Sequence, residues 1–208
     1  MAGGTVGIRI VVINGSVRPG NYTTKATALV VAELRKRPDV SVEVIDPAAM
    51  KLPMAGTDPG SEATEALAAK VAAATGVVLT TPEYHGSYSA AIKLVIENLG
   101  FPSVLNGKPV ALLGVAAGAI GAIKALEHLR SVCSHVGAIV LPLPISVAHV
   151  QNVFDADGRC LDADVEKLVR SVATNLLGYI EQNLCPRVTL ERILREGVGA
   201  VSSGPERR

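Results

Sequence analysis

The chain has 208 residues, of which 49% are apolar and 19% charged, a composition typical of a globular domain. Its formal net charge is +1, and Lys and Arg form no stripe with interleaved aromatics, so neither nucleic acid nor a membrane surface is predicted as a partner. The three cysteines are far apart and form no CxxC pair, which argues against a metal site and against a disulfide framework.

The location of the protein is predicted from what the sequence lacks. No apolar run reaches the roughly 18 residues that a membrane span needs. The segment Met1–Thr5 has no charged region followed by an apolar one, the pattern of a signal peptide. We therefore expect a cytoplasmic protein without a membrane partner.

The first predicted elements are a buried strand and an amphipathic helix. Residues Ile8–Asn14 form an apolar run with little polar alternation, which is typical of a strand covered on both faces. A helix is predicted over Thr23–Arg37 because apolar residues recur at helical spacing. The predicted inner stripe of this helix consists of Ala28, Val31, Ala32 and Leu34.

The same alternation of strand and helix continues along the chain. Further strands are predicted at Val40–Asp46, Gly76–Thr81, Pro109–Val115 and Ala138–Leu141. Further helices are predicted at Glu62–Ala74, Ala90–Leu99, Ile120–Cys133 and Asp162–Glu181, the first of them capped by Ser61. Five strands joined by crossover helices predict an α/β three-layer sandwich around a five-stranded parallel sheet.

One domain is predicted over residues 1–185, since no repeat or break in composition divides it. Residues 186–208 are predicted to form a C-terminal extension that is partly disordered. Within it we expect a helical turn at Leu190–Arg195 and a frayed tail at Ser202–Arg208.

The loop after the first strand has the composition of a phosphate site. In a parallel sheet, ligands bind beyond the carboxyl ends of the strands. There, Gly15 and Gly20 permit tight backbone geometry, and Arg18 supplies a positive fork. Short polar side chains and the N-terminus of the next helix add further donors. The alternative is an ordinary strand–helix turn in which Thr23 caps the helix and Arg18 is solvated.

The chemistry of this loop favours a mononucleotide. A dinucleotide fingerprint has glycine at three positions, but Val17 occupies the middle one. A Walker A lysine is absent, and no cysteine precedes the loop arginine as in a low-molecular-weight phosphatase. A receiver domain has acidic residues where this chain has Asn14 and Thr81.

The loop after the third strand suits a planar ring. Two of the four tyrosines, Tyr84 and Tyr88, fall in the segment Thr80–Ser89. Backbone amides near Gly86 are predicted to approach the ring and to stabilise negative charge on it. His85 is not predicted to act as a base, because hydride transfer needs none. We expect Glu83 to organise the loop or contact a neighbouring subunit.

The loop after the fourth strand, Gly114–Gly121, carries three glycines among alanines. Such residues leave room for a large flat group. They also allow a helix to pack closely on the sheet. Both interpretations stay open at this stage.

Together these loops bear a resemblance to a known family. The chain resembles the NAD(P)H-dependent FMN reductases of the flavodoxin-like superfamily, which include chromate, quinone and azo-dye reductases. Gly15-Ser16-x-Arg18 is similar to the start of the family's phosphate loop, although Asn21 and Thr23 depart from its usual Ser and Asn. Pro82–His85 matches the family's P-E-Y-N/H segment. Further matches are Lys93, Gly107–Val110, Gly118 and Leu129–Arg130, whereas Leu94, Ala119 and Ile120 depart from the usual pattern.

The resemblance implies a flavodoxin-like fold and a set of cofactor contacts. FMN would have its phosphate on the first loop and its ring on the second, with the third along its side. The residues implied to bind FMN are Ser16, Arg18, Asn21, Tyr22, Thr23, Thr24, Pro82, Glu83, Tyr84, His85, Gly86, Ser87, Ala117 and Gly118. No catalytic acid or base and no metal ligand is implied.

The resemblance also implies an activity and an assembly. NADPH or NADH would reduce FMN by hydride transfer to N5, and a quinone, azo, metal-oxyanion or flavin acceptor would then take the electrons. Family members are commonly homodimers or homotetramers, and the helix Ala90–Leu99 is a candidate interface.

Two alternatives stay open at the level of sequence. A flavodoxin-type electron carrier would bind FMN without using NAD(P)H, but such carriers are usually strongly acidic and this chain has a net charge of +1. A flavin-free scaffold is the other alternative, because the first and third loops depart from the family pattern.

Overall fold

The structure, a computed structural model, describes residues 7–58 and 60–197. Its strands are β1 (Ile8–Asn14), β2 (Val40–Ile45), β3 (Gly76–Tyr84), β4 (Ser87–Tyr88), β5 (Pro109–Val115), β6 (Ile139–Val140) and β7 (Ile145–Val147). Its helices are α1 (Tyr22–Leu34), α2 (Glu62–Ala72), α3 (Ala90–Glu97), α4 (Ile123–His135), α5 (Ala163–Tyr179) and α6 (Cys185–Gly197). A π-helical turn, Ile180–Leu184, joins α5 to α6.

The strands form a parallel sheet in the order β2-β1-β3-β5-β6, and β7 also pairs with β5. The chain therefore reverses direction across the sheet between β1 and β3, the point at which open α/β sheets bind ligands. β2 lies at the edge of the sheet. The α/β sandwich with a parallel sheet is confirmed.

Two apolar clusters cover the faces of the sheet. One packs α1 and α5 against side chains such as Ile10 and Val12. The other packs α2, α3 and α4 against the opposite face, where Leu79 and Leu112 lie. Because both faces are covered, the central strands are apolar throughout, which explains the near-continuous hydrophobic runs in the sequence.

The inner face of α1 differs from the predicted stripe. Val31 and Leu34 are buried as expected, but Ala28 and Ala32 are exposed. Thr23 and Thr27 are buried in addition. The Thr27 hydroxyl donates to the Thr23 carbonyl (2.7 Å) and lies 2.9 Å from the hydroxyl of Thr80 on β3. Threonine is tolerated in this core because its hydroxyl is hydrogen-bonded.

The fifth position of the sheet is split into two short strands. β6 pairs with Pro109 and Val110 at the start of β5, and β7 pairs with the end of β5. Pro142 and Pro144 lie between them, and neither has an N–H to donate to a ladder. The predicted strand Ala138–Leu141 is therefore shorter than expected, and β7 was not predicted.

Several helix boundaries also differ from the predictions. α4 begins at Ile123, after a turn that contains Ile120. The segment predicted as a helical turn at Leu190–Arg195 belongs to a longer helix, α6. Ser61 caps α2 as predicted, accepting from the N–H of Thr64 (3.2 Å). The predicted frayed tail, Ser202–Arg208, lies outside the described residues.

Cys133 on α4 is buried in the second cluster, and this burial raises the pKa of its thiol to about 12. A thiol in this state is a packing group and not a nucleophile. Among the described helices, none is both long and apolar enough to cross a membrane.

Candidate active site

The candidate site lies where β1, β3 and β5 end. After β1 the chain passes very close to the backbone of β3. A Cβ on Gly15 would lie well under 3.0 Å from the Thr80 carbonyl oxygen, so only glycine allows this approach. The hydroxyl of Ser89, which caps α3, donates to the Gly15 carbonyl. This close crossing fixes the start of the first loop relative to the end of β3.

Asparagine side chains shape the first loop. Asn21 is the N-cap of α1: its Oδ1 accepts from the N–H of Thr24 (2.7 Å), and its Nδ2 donates to the Arg18 carbonyl (2.6 Å). Asn14 donates to the Ser16 carbonyl (3.1 Å) and to the Thr24 hydroxyl (2.9 Å). The cap is therefore Asn21 and not Thr23. The loop is held open toward solvent between Val17 and Gly20, all of which are exposed.

Several groups of this loop remain available to an anion. The first turn of α1 contains no acidic residue, so the positive end of the helix dipole is not neutralised there. Within the described residues, the Arg18 guanidinium forms no ion pair and no hydrogen bond. The Ser16 hydroxyl is a buried donor without a partner in the same part of the structure. Phosphate oxygens would satisfy donors of this kind, so the residues present fit a phosphate monoester.

The second loop is a tight hairpin. β3 continues to Tyr84 and pairs with the antiparallel β4, so that only His85 and Gly86 form the turn. Both have positive φ, 51° and 76°, as a type I′ turn requires. The Ser87 hydroxyl lies 3.0 Å from Nδ1 of His128 on α4, which ties the hairpin to that helix. The predicted loop Pro82–Ser87 is thus mostly strand.

Pro82 is compatible with a central strand because of where it lies. β1 stops pairing with β3 at Thr80, so the missing N–H of Pro82 leaves no gap in that ladder.

Glu83 organises the site, as the sequence suggested. Its Oε2 accepts from the backbone N–H of Ala125 (3.1 Å) in the first turn of α4. The carboxylate therefore neutralises the positive end of α4 and sets the position of β3 against that helix.

The glycines of the third loop divide between packing and open space. A Cβ on Gly114 would lie 2.6 Å from Ala122 Cβ, so this glycine permits α4 to pack on the sheet. Gly121, at φ 75°, leaves no space for a Cβ beside the Ser146 hydroxyl. A Cβ on Gly118 would meet nothing within 4 Å. Of the three, only Gly118 faces room for a ligand.

Two adjoining cavities lie across these loops. The first, of about 350 Å³, is lined by Arg18, Pro19, Gly20, Asn21, Tyr22, Thr23, Pro82, Glu83, Tyr84, Val115, Ala116, Ala117 and Val150. The second, of about 300 Å³, is lined by Glu83, His85, Gly86, Ala116, Ala117, Gly118, Ala119, Ile120 and Gly121. Glu83, Ala116 and Ala117 line both, so the two form one elongated site.

Most of the predicted residues line this site. Arg18, Asn21, Tyr22, Thr23, Pro82, Glu83, Tyr84 and Ala117 line the first cavity, and His85, Gly86 and Gly118 line the second. Ser16, Thr24 and Ser87 line neither. Ser16 lies buried beneath the loop, whereas the hydroxyls of Thr24 and Ser87 are bonded to Asn14 and His128.

The sequence did not indicate that the segment after β7 also lines the site. Val150 follows β7, and its N–H donates to the Ala116 carbonyl (3.1 Å), which brings this segment against the third loop. The only signal in the sequence was a short apolar run after Pro144, too short to be distinguished from a loop. In the part of the chain that the structure describes, no three His, Cys, Asp or Glu residues form a metal-binding group.

Comparison with known proteins assigns the chain to a family. The family model for NADPH-dependent FMN reductase matches residues 8–152. The chain is 30% identical over 180 residues to a 2-hydroxy-1,4-benzoquinone reductase from Burkholderia sp., covering 83% of this chain and 96% of that protein. It is 34% identical over 178 residues to an NADPH azoreductase from Bacillus sp. (strain OY1-2), covering 83% and 93%.

Solved structures agree on the fold. The flavoenzyme FerB, an NAD(P)H:acceptor oxidoreductase from Paracoccus denitrificans, superposes with a TM-score of 0.72 at 24% identity, covering 84% of this chain and 98% of that one. A flavodoxin from the domain Archaea superposes with a TM-score of 0.54 at 15% identity, covering 81% and 99%. The chain therefore belongs to the NADPH-dependent FMN reductase family, and it is an NAD(P)H-dependent oxidoreductase whose cofactor is FMN.

Proposed function

We propose that FMN lies along the elongated site, with its phosphate at the N-terminus of α1 and its ring between the β3–β4 hairpin and the third loop. The observation that carries this placement is the distribution of charge. Arg18 and the uncompensated end of α1 lie at one end of the site. Small residues, Ala116–Ala119, line the other end.

When bound, FMN supplies the redox chemistry by taking a hydride from NAD(P)H and passing electrons to a small-molecule acceptor. The residues of the chain orient the cofactor and shield it from solvent. Arg18 and the N-terminus of α1 would hold the phosphate, the hairpin would present the backbone of His85 and Gly86 to the ring, and Tyr84 would cover its side. Glu83 and α4 hold the hairpin in place. No proton transfer by a side chain is required.

The placement is tested by titrating the apoprotein with FMN and with riboflavin while following the quenching of flavin fluorescence. The proposal predicts markedly tighter binding of FMN, since only FMN carries the phosphate. Equal affinities would contradict the assignment of the first loop.

His85→Asn should leave the rate of flavin bleaching by NADPH within about threefold of the wild type, because hydride transfer needs no acid. Asparagine tolerates the positive φ of this position, so the turn is retained. The rate is measured by stopped-flow absorbance of the FMN-loaded variant. A loss of 100-fold or more, with FMN still bound, would identify His85 as a catalytic residue.

We also infer a homodimer or homotetramer. Phe101, directly after α3, is fully exposed (100%), and Met54 is 67% exposed. The two lie near each other, because Asn98 at the end of α3 donates to the Pro53 carbonyl (3.0 Å). Light scattering should give two or four times the 21.5 kDa of one chain, and Phe101→Asp should lower that mass. A wild-type monomer would contradict the inference.

A cytoplasmic location is proposed as well. Cys133 and Cys160 form no disulfide in the described residues, in keeping with a reducing compartment. Recovery of the enzyme outside the cytosolic fraction of its source cells would contradict this.

A further inference from the structure

One apolar side chain at the rim of the second cavity has no part in the FMN assignment. Ile120 lines this cavity, yet 71% of its surface is exposed. Every other residue of the segment 116–121 is alanine or glycine, so Ile120 is the only large side chain of the third loop.

Two backbone donors at the N-terminus of α4, beside this rim, are not available to an anion. The N–H of Ala122 donates to the Ser146 hydroxyl (2.8 Å), and the N–H of Ala125 donates to the carboxylate of Glu83. These donors at the N-terminus of α4 are therefore already occupied, and one of their acceptors carries a negative charge. The N-terminus of α1 differs from that of α4, because the first turn of α1 contains no acidic residue.

We propose that Ile120 is a specificity-determining residue that selects uncharged, planar aromatic acceptors over hydrated anions. A planar ring that enters the mouth of the second cavity covers the Ile120 side chain and removes apolar surface from water. A hydrated anion gains nothing from this contact and approaches the Glu83 carboxylate. For a quinone the reaction balances as NADPH, a proton and the quinone giving NADP⁺ and the hydroquinone.

This inference rests on the proposed function and is tested on the FMN-loaded enzyme. The kcat/KM values for 1,4-naphthoquinone and for ferricyanide, a hydrated anion, are compared in the wild type, Ile120→Ala and Ile120→Leu. We expect Ile120→Ala to lower the ratio of the two values about three- to tenfold, since two to three exposed carbons lose contact with the ring. Ile120→Leu should restore most of the ratio.

The matched control is Leu143→Ala. Leu143 is exposed to a similar extent (76%) but lies in the link between β6 and β7, away from both cavities of the site. This variant should keep the wild-type ratio. A fall in the ratio as large as that of Ile120→Ala would show a general effect of losing surface apolar area, and would overturn the proposal.

Two equilibrium measurements separate the proposal from its alternatives. Binding of 2-naphthol, an uncharged planar compound, is followed through the absorbance of the bound flavin, and Ile120→Ala should weaken it about three- to tenfold. FMN affinity should change less than twofold.

Weaker FMN binding would make Ile120 a wall of the cofactor site, and an unchanged ratio with unchanged naphthol binding would exclude a role in selection. If neither NADPH nor NADH bleaches the wild-type flavin, the proposed function fails instead, whatever the naphthol result.

Discussion

Arg18→Ala should weaken FMN binding about 10- to 100-fold, because charge-assisted hydrogen bonds of roughly 1.5–3 kcal/mol to the phosphate are lost. Riboflavin binding should change little, since riboflavin has no phosphate. In the described structure the guanidinium has no protein partner, so its removal leaves no buried group unpaired. Fluorescence titration of the apoprotein with both ligands measures the two affinities.

Arg35→Ala is the matched control for this prediction. Arg35 is an exposed arginine at the other end of α1, so the variant changes the net charge by the same amount far from the first loop. Its FMN affinity should equal that of the wild type. An equal loss of FMN and riboflavin affinity in Arg18→Ala would show that Arg18 supports the fold of the loop and does not contact the phosphate.

Gly15→Ala should lower the free energy of unfolding by about 3 kcal/mol, at the upper end of what overpacking costs. The added Cβ would collide with the Thr80 carbonyl oxygen, which is a backbone atom of the central strand β3 and cannot turn aside like a side chain. This strand cannot shift without disturbing the core. We also expect weaker FMN binding, because the first loop begins at this residue. Urea unfolding followed by circular dichroism measures the change.

The comparison variant is Gly178→Ala in α5. A Cβ at Gly178 meets nothing within 4 Å, and alanine stabilises a helix by up to about 1 kcal/mol relative to glycine. This variant should therefore be as stable as the wild type or more stable. If Gly15→Ala behaved in the same way, the crossing of the first loop over β3 would not be as tight as described.

The central strands were predictable because a strand that is buried on both faces appears in the sequence as a continuous apolar run. The bounds of β1 and β5 agree with the predictions at both ends. The fold class follows from five such segments separated by helices. The fifth position was harder to predict, since its two strands contain only two and three residues and are separated by Pro142 and Pro144.

The buried face of α1 shows why periodicity alone is not enough. Alanine counts as apolar at any position, so Ala28 and Ala32 were assigned inward, although both are exposed. Thr23 and Thr27 are buried because a tertiary hydrogen bond to Thr80 on β3 satisfies the Thr27 hydroxyl. Such a partner is 53 residues away in the sequence, and no local pattern indicates it.

The sequence predicts the first loop as a cluster of donors, and the role of each donor depends on tertiary contacts that the sequence does not reveal. Asn21 and Thr24 are used within the loop, which leaves Arg18 as the exposed cation. The same holds for the third loop, where two glycines serve packing and only Gly118 has open space beside its Cα. The sequence contains His85-Gly86, a pair suited to a hairpin turn, but we interpreted this segment as a loop.

The most direct test of the account is anaerobic stopped-flow absorbance of the FMN-loaded enzyme mixed separately with NADPH and with NADH. We predict rapid bleaching of the bound flavin by at least one of the two donors, followed by recovery of the flavin bands when an acceptor such as 1,4-naphthoquinone is added. Bound flavin that neither donor bleaches would contradict the account and would favour an electron carrier instead.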